Sequence, residues 1–238
     1  MAGPIATMPR RVLYGCKTVV ASKPGLALPI ARIRGHGEPF DPSVDIVIEG
    51  YPRSGNSFAV HAFRVAQDHP VRIAHHLHAP AQLIAAVRSR VPALVMVREP
   101  HDAVLEFVLA KGYLSIRQAL HGYVRFYTPL LPYRDRIVAG LFSDVTSDFG
   151  AVIARVNAAF GTNFAEFEHT EENVRSSFEA IEADWATRLP PGEAFERKVG
   201  RPSPTRDRMK QDLLGTYRSP GLAKLRSRAE RLEAAFHG

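Results

Sequence analysis

The chain has a single cysteine, Cys16, so no internal disulfide is possible and a reducing, cytoplasmic compartment is expected. No apolar run reaches the roughly 20 residues that a membrane-spanning helix needs. Residues 1–30 carry Arg10, Arg11 and Lys17 but no clean apolar core followed by a small-residue cleavage site, so no signal peptide is read there. Internal repeats and low-complexity blocks are also missing. Acidic residues are in the minority: 24 Asp and Glu against 31 Lys and Arg give a formal net charge of +7. The cations are scattered rather than clustered with aromatics. That pattern points away from nucleic acid and toward an anionic cofactor or substrate.

One further absence is a lysine. Residues 46–58 form an apolar stretch running into a glycine-bounded, hydroxyl-rich turn. The turn fits the phosphate-loop pattern G-x-x-x-x-G-K-S/T at Gly50, Gly55 and Ser57, but Asn56 stands where the lysine belongs. The nearest cation, Arg53, lies inside the loop. A nucleotide hydrolase or kinase needs that lysine on the β- and γ-phosphates. A loop without it still cradles a phosphate through backbone N–H groups and a helix N-terminus. The plainer alternative is a tight strand-to-helix turn with a serine cap.

With 238 residues, 45% of them hydrophobic, the chain is long enough for one α/β domain with a substantial core. Residues 1–43 are dense in proline and glycine and read as a loop-rich leader, with one short strand at 12–20. A single α/β domain is expected over 44–238. Strands are predicted at 44–49, 71–76, 93–97 and 137–142, alternating with helices at 57–67, 81–90, from Pro100, at 115–128 and at 146–159. A helix is expected at 170–188, a loop at 192–204, and an amphipathic helix at 221–236 that docks on its own domain or forms a homodimer. Such alternation implies right-handed crossovers, a mostly parallel central sheet in a three-layer α/β/α arrangement, and ligands at the carboxyl ends of the strands.

Two other clusters fall at strand ends. Arg98, leaving the third strand beside a helix start, suits bidentate binding of a phosphate, or else an ion pair with Asp102. His75, His76 and His78 end the second strand, where alternation puts His76 and His78 on one face and His75 on the other. A histidine facing the loop suits a general base, since its unperturbed pKa is ~6.5. A surface histidine cluster is the alternative, and a metal site would need further ligands.

These pieces together resemble the sulfotransferases that use 3′-phosphoadenosine 5′-phosphosulfate (PAPS). Pro52-Arg53-Ser54-Gly55-Asn56-Ser57-Phe58 is similar to their 5′-phosphosulfate loop, Arg98-x-Pro100-x-Asp102 to the start of their 3′-phosphate motif, and His76-Leu77 to their catalytic His-Leu pair. Phe195-Glu196-Arg197-Lys198-Val199-Gly200 resembles their late F-x-R-K-G stretch with one residue inserted. The resemblance implies a phosphate-loop-like fold and metal-free transfer of a sulfuryl group to a hydroxyl or amine of a small molecule, sugar or lipid. It gives His76 the role of base and Arg53 that of neutralising charge on the transferred group. Ser54, Gly55, Asn56 and Ser57 would hold the 5′-phosphate, Phe58 would stack on adenine, and Arg98, Arg197, Lys198 and Gly200 would complete the nucleotide site. Two positions depart from the family pattern: Glu106 stands where a serine contacts the 3′-phosphate, and Ala74 where a lysine precedes the histidine. The rival readings are a phosphate-loop kinase or NTPase, with Asp144 holding a metal, and an inactive nucleotide-binding module.

Overall fold

A computed structural model describes residues 4–35 and 37–237. Two helices come first, α1 (Pro4–Val20) and α2 (Pro24–Arg34). The expected loop-rich leader with its strand at 12–20 is therefore corrected to helix, with residues 1–3 and 36 lying outside the described residues. The prolines and glycines mislead because several mark helix ends. Pro24 opens α2 and Gly35, at φ 58°, caps it.

The α/β alternation follows as β1 (Ile46–Gly50), α3 (Asn56–Ala66), β2 (Ile73–His75), α4 (Pro80–Ser89), β3 (Ala93–Val97), α5 (Pro100–Lys111), α6 (Ile116–Tyr127), a 3₁₀ segment Thr128–Arg136, and β4 (Val138–Leu141). The expected helix at 146–159 is two helices, α7 (Phe142–Ser147) and α8 (Phe149–Phe160), divided at Asp148, whose side chain caps α8. Then come α9 (Glu171–Ala186), α10 (Glu193–Lys198), α11 (Pro204–Tyr217) and α12 (Ala223–Ala234). The loop expected at 192–204 thus contains α10. The helix α11 buries only Arg206 and Tyr217, so no apolar stripe announces it. Ser203 capping its start and Pro204 at its first turn are its sequence signal.

The four strands are all parallel in the order β2-β1-β3-β4. Alternation along the strands splits the apolar residues between two cores. Ile46, Ile48, Leu94 and Met96 pack with α3 and α8. Val47, Val95 and Val97 pack on the opposite face with α4, α5 and α6. The result is the three-layer α/β/α arrangement, and α12 buries Ala229 and Leu232 within the same domain. From β1 the chain crosses to β2 on one side and then returns to β3 on the other. The carboxyl ends of β1 and β3 therefore flank the point where the strand order reverses, which is where ligands of such sheets bind. Gly50 permits the close approach there, because a Cβ on it would meet Met96 at 2.6 Å.

Candidate functional site

The turn between β1 and α3 holds Arg53 and Gly55 at φ 71° and 91°. No side chain caps α3, and its first intrahelical bond runs from Ala59 N–H to Gly55 C=O at 3.0 Å. The N–H groups of Asn56, Ser57 and Phe58 precede that bond and have no intrahelical acceptor. Together with the helix dipole they form an anion site. The side chains of the turn are only partly paired. Asn56 donates through Nδ2 to Tyr51 C=O at 3.0 Å, while Asn56 Oδ1 and the fully buried Ser54 Oγ have no partner among the described residues. Phe58 is only 4% exposed and packs with Phe149, Phe167 and Phe178, so its ring belongs to the core. That placement corrects the expected stacking of Phe58 on adenine.

Arg98 leaves β3 beside this turn. Its Nη1 donates to Arg53 C=O at 3.0 Å and its guanidinium lies over the Phe142 ring, 4.0 Å from the centroid. The pairing with Asp102 is loose at 3.8 Å, and Nε has no partner among the described residues. Asp102 is instead held by Lys210 at 3.2 Å.

The Arg53 guanidinium is bound elsewhere. Nη1 donates to Lys198 C=O at 2.8 Å, and Nη2 to Val199 C=O at 3.2 Å and Glu106 Oε2 at 3.0 Å. These bonds tie the 197–200 segment over the turn. A Cβ on Gly200 would lie 3.7 Å from Ser57 Oγ. Arg197 points to Glu193 at 2.6 Å. Glu106 also receives Arg206 Nε at 3.0 Å and has Lys210 Nζ at 3.5 Å. Burial alone would raise its carboxyl, but the flanking cations hold it below the usual range. Glu106 is thus neutralised by three cations, two of which lie on α11.

The three histidines do not alternate as a strand would. β2 ends at His75, and His76 and His78 both have positive φ, 59° and 51°. All three rings therefore gather, with centroids 4.8 Å apart for His75–His76 and 5.8 Å for His76–His78. A buried carboxylate holds this turn: Glu49 Oε2 accepts from Leu77 N–H, His78 N–H and Gln82 Nε2 at 2.9–3.0 Å, while Oε1 accepts from Gly50 N–H. Burial raises the Glu49 carboxyl to about 7, against the hydrogen bonds that favour its ionised form.

The hydrogen-bond chain assigns the imidazole protons. Arg64 only donates, and its Nη2 lies 2.9 Å from His75 Nε2. His75 is neutral, burial having lowered its pKa to about 3, so it carries its proton on Nδ1. It donates to His76 Nδ1 at 2.6 Å. His76, lowered to about 4 by burial and by nearby His61 and Arg64, then donates from Nε2 to Ser57 Oγ at 3.0 Å. The imidazole predicted as a base is therefore seated at the start of α3, next to the open amides.

Sequence reasoning missed Glu49, Gln82, Arg64, Arg206 and Lys210. Glu49 did carry a signal, a lone carboxylate in an apolar strand. Asp144, the candidate metal holder of an NTPase, lies in α7 paired with Arg155 at 3.0 Å. Glu99, His101 and Asp102 bring ligand-type atoms within 4.8 Å of one another, at an exposed or half-buried position already engaged by Arg98 and Lys210. Among the described residues no helix is long and apolar enough to cross a membrane.

Among solved structures, the chain is similar to the mouse sulfotransferase SULT7A1 complexed with PAP, with 14% identity and a TM-score of 0.46, over 84% of this chain and 91% of that one. No protein-family model and no curated protein matches the sequence.

Proposed function

We propose that this chain is a PAPS-dependent sulfotransferase acting on an acceptor hydroxyl or amine. The observation that carries the proposal is the 3.0 Å contact between Ser57 Oγ and His76 Nε2, which seats a neutral imidazole at the uncapped start of α3. The donor set fits a doubly phosphorylated adenosine. The amides of Asn56, Ser57 and Phe58 suit one phosphate, and Arg98 at the adjoining strand end suits a second. When bound, PAPS supplies the activated sulfuryl group. Arg53 acts as a positioning residue that ties the 198–199 carbonyls to the turn, so charge stabilisation at the site falls to the amides and Arg98.

His76 takes the acceptor's proton at Nε2. In the structure neither nitrogen of His76 offers a free lone pair, since Nδ1 accepts from His75 and Nε2 donates to Ser57. Base activity therefore requires the chain to reverse, with His76 protonated on Nδ1 and His75 on Nε2. Arg64 must then release His75. Arg64 is exposed, so that release costs little.

Calorimetry with adenosine 3′,5′-bisphosphate, ADP and ATP tests the reading. The bisphosphate is expected to bind at least about tenfold more tightly than either, a difference of about 1.4 kcal/mol. Magnesium-dependent ATP or GTP turnover with no such preference would overturn it. The missing loop lysine argues against that outcome.

A further inference from the structure

The N-terminal hairpin α1–α2 has a composition unlike the rest of the chain. Residues 1–37 contain six Lys and Arg and no Asp or Glu. From Glu38 onward 25 basic residues face 24 acidic ones, so almost the whole net charge resides in the hairpin. The same two helices expose large apolar side chains. Met8, Val12 and Val19 lie along α1, and Leu26, Ile30 and Ile33 along α2, with Ile33 86% exposed. Spacings of four and seven residues put each set on one helical face. Arg10 and Lys17, seven apart, lie roughly 160° around α1 from that set, with the exposed Leu13 beside them. Among the described residues, Val65 is the single large exposed hydrophobic outside the hairpin. The other faces are anchored. Ala27, Leu28 and Ala31 are buried in the core, and Arg11 Nε donates to Tyr113 C=O.

We infer that this hairpin docks the protein on an anionic lipid surface, lying in the interface without spanning it. Exposed apolar side chains on two helices that carry cations and no acid match headgroups of negative charge above acyl chains. A second copy is disfavoured by the same charges. A two-fold contact through this face would set two clusters of cations against each other. Ile30 and Ile33 belong to neither the loop nor the histidine cluster, so substituting them tests the inference independently of the proposed activity.

The full chain is sedimented with vesicles of phosphatidylcholine alone and of phosphatidylcholine mixed with phosphatidylglycerol. Binding to the mixed vesicles is expected to be at least about tenfold stronger, with the difference shrinking as salt is raised. Ile30→Glu with Ile33→Glu is expected to abolish it while leaving the thermal midpoint unchanged, because both side chains are exposed. Equal binding to both vesicle types would overturn the inference. So would binding that survives the double substitution, or a dimer in light scattering that the substitution dissolves.

Discussion

The turn after β1 leaves the amides of Asn56, Ser57 and Phe58 open, whereas the turn after β2 has its amides filled by the Glu49 carboxylate. Both turns hold residues at positive φ, and they meet at the Ser57–His76 contact. The first leaves its donors without a partner in its own helix. The second uses its donors internally and thereby fixes a ring. An anion site must have unsatisfied N–H groups, while a base must sit in a satisfied frame that keeps it neutral and oriented. In the proposed reading, these two requirements fall on neighbouring strand ends.

His76→Ala removes the ring that joins the turns and is expected to have the largest effect. Turnover should fall by about 10²–10⁴-fold, with affinity for adenosine 3′,5′-bisphosphate nearly unchanged. Affinity lost in step with turnover would mean that the second turn also binds nucleotide, ending the division of roles. Glu49→Ala attacks the frame. It leaves the Leu77 and His78 amides without their acceptor in the interior and opens a void, so urea denaturation should report a loss of about 3–5 kcal/mol. A loss below about 1 kcal/mol would show that the frame does not depend on the carboxylate. Arg98→Ala tests the open side: affinity for the bisphosphate should fall about 10–100-fold, the worth of a hydrogen bond to a charged group, with the fold intact.

The smallest expected effect is in pH. The folded-state pKa values of His75 and His76 are lowered from 6.5 to about 3 and about 4. Below pH 6.5 the unfolded chain binds protons that the folded chain does not, so this contribution is present above 6.5 and is lost as pH falls toward 4. Glu49 acts in the opposite sense. Its folded pKa is raised from 4.5 to about 7, so its contribution is full below 4.5 and is lost as pH rises through 7. Two imidazoles outweigh one carboxyl, and the denaturation midpoint should fall between pH 6.5 and 4. His75→Gln should flatten that fall. An unchanged profile would place the ring in solvent rather than in the frame.

Much of the site was legible because it is punctuated locally. Gly50, Gly55 and the apolar run before them announce a strand, a turn and a helix start, and Arg98 follows an equally clear strand. The leader is less legible because Pro24 and Gly35 carry the same signature at a helix end as in a loop. The place of Phe58 is hidden in the sequence because a motif records which residue follows the turn and not which way its ring faces. In the helix it turns into the aromatic core around Phe149 and Phe167.

Local sequence, then, determined the alternation of strands and helices from β1 to β4 and the lysine-less turn. These follow from side-chain periodicity and from what glycine and proline allow. Tertiary structure alone decided that Glu106 would be neutralised by Arg53 and by Arg206, 100 positions away. It also decided that Arg64 would set the proton positions of His75 and His76. Charges and lone pairs find partners across space, and which ones lie within hydrogen-bond reach is known only when the strands have taken their order.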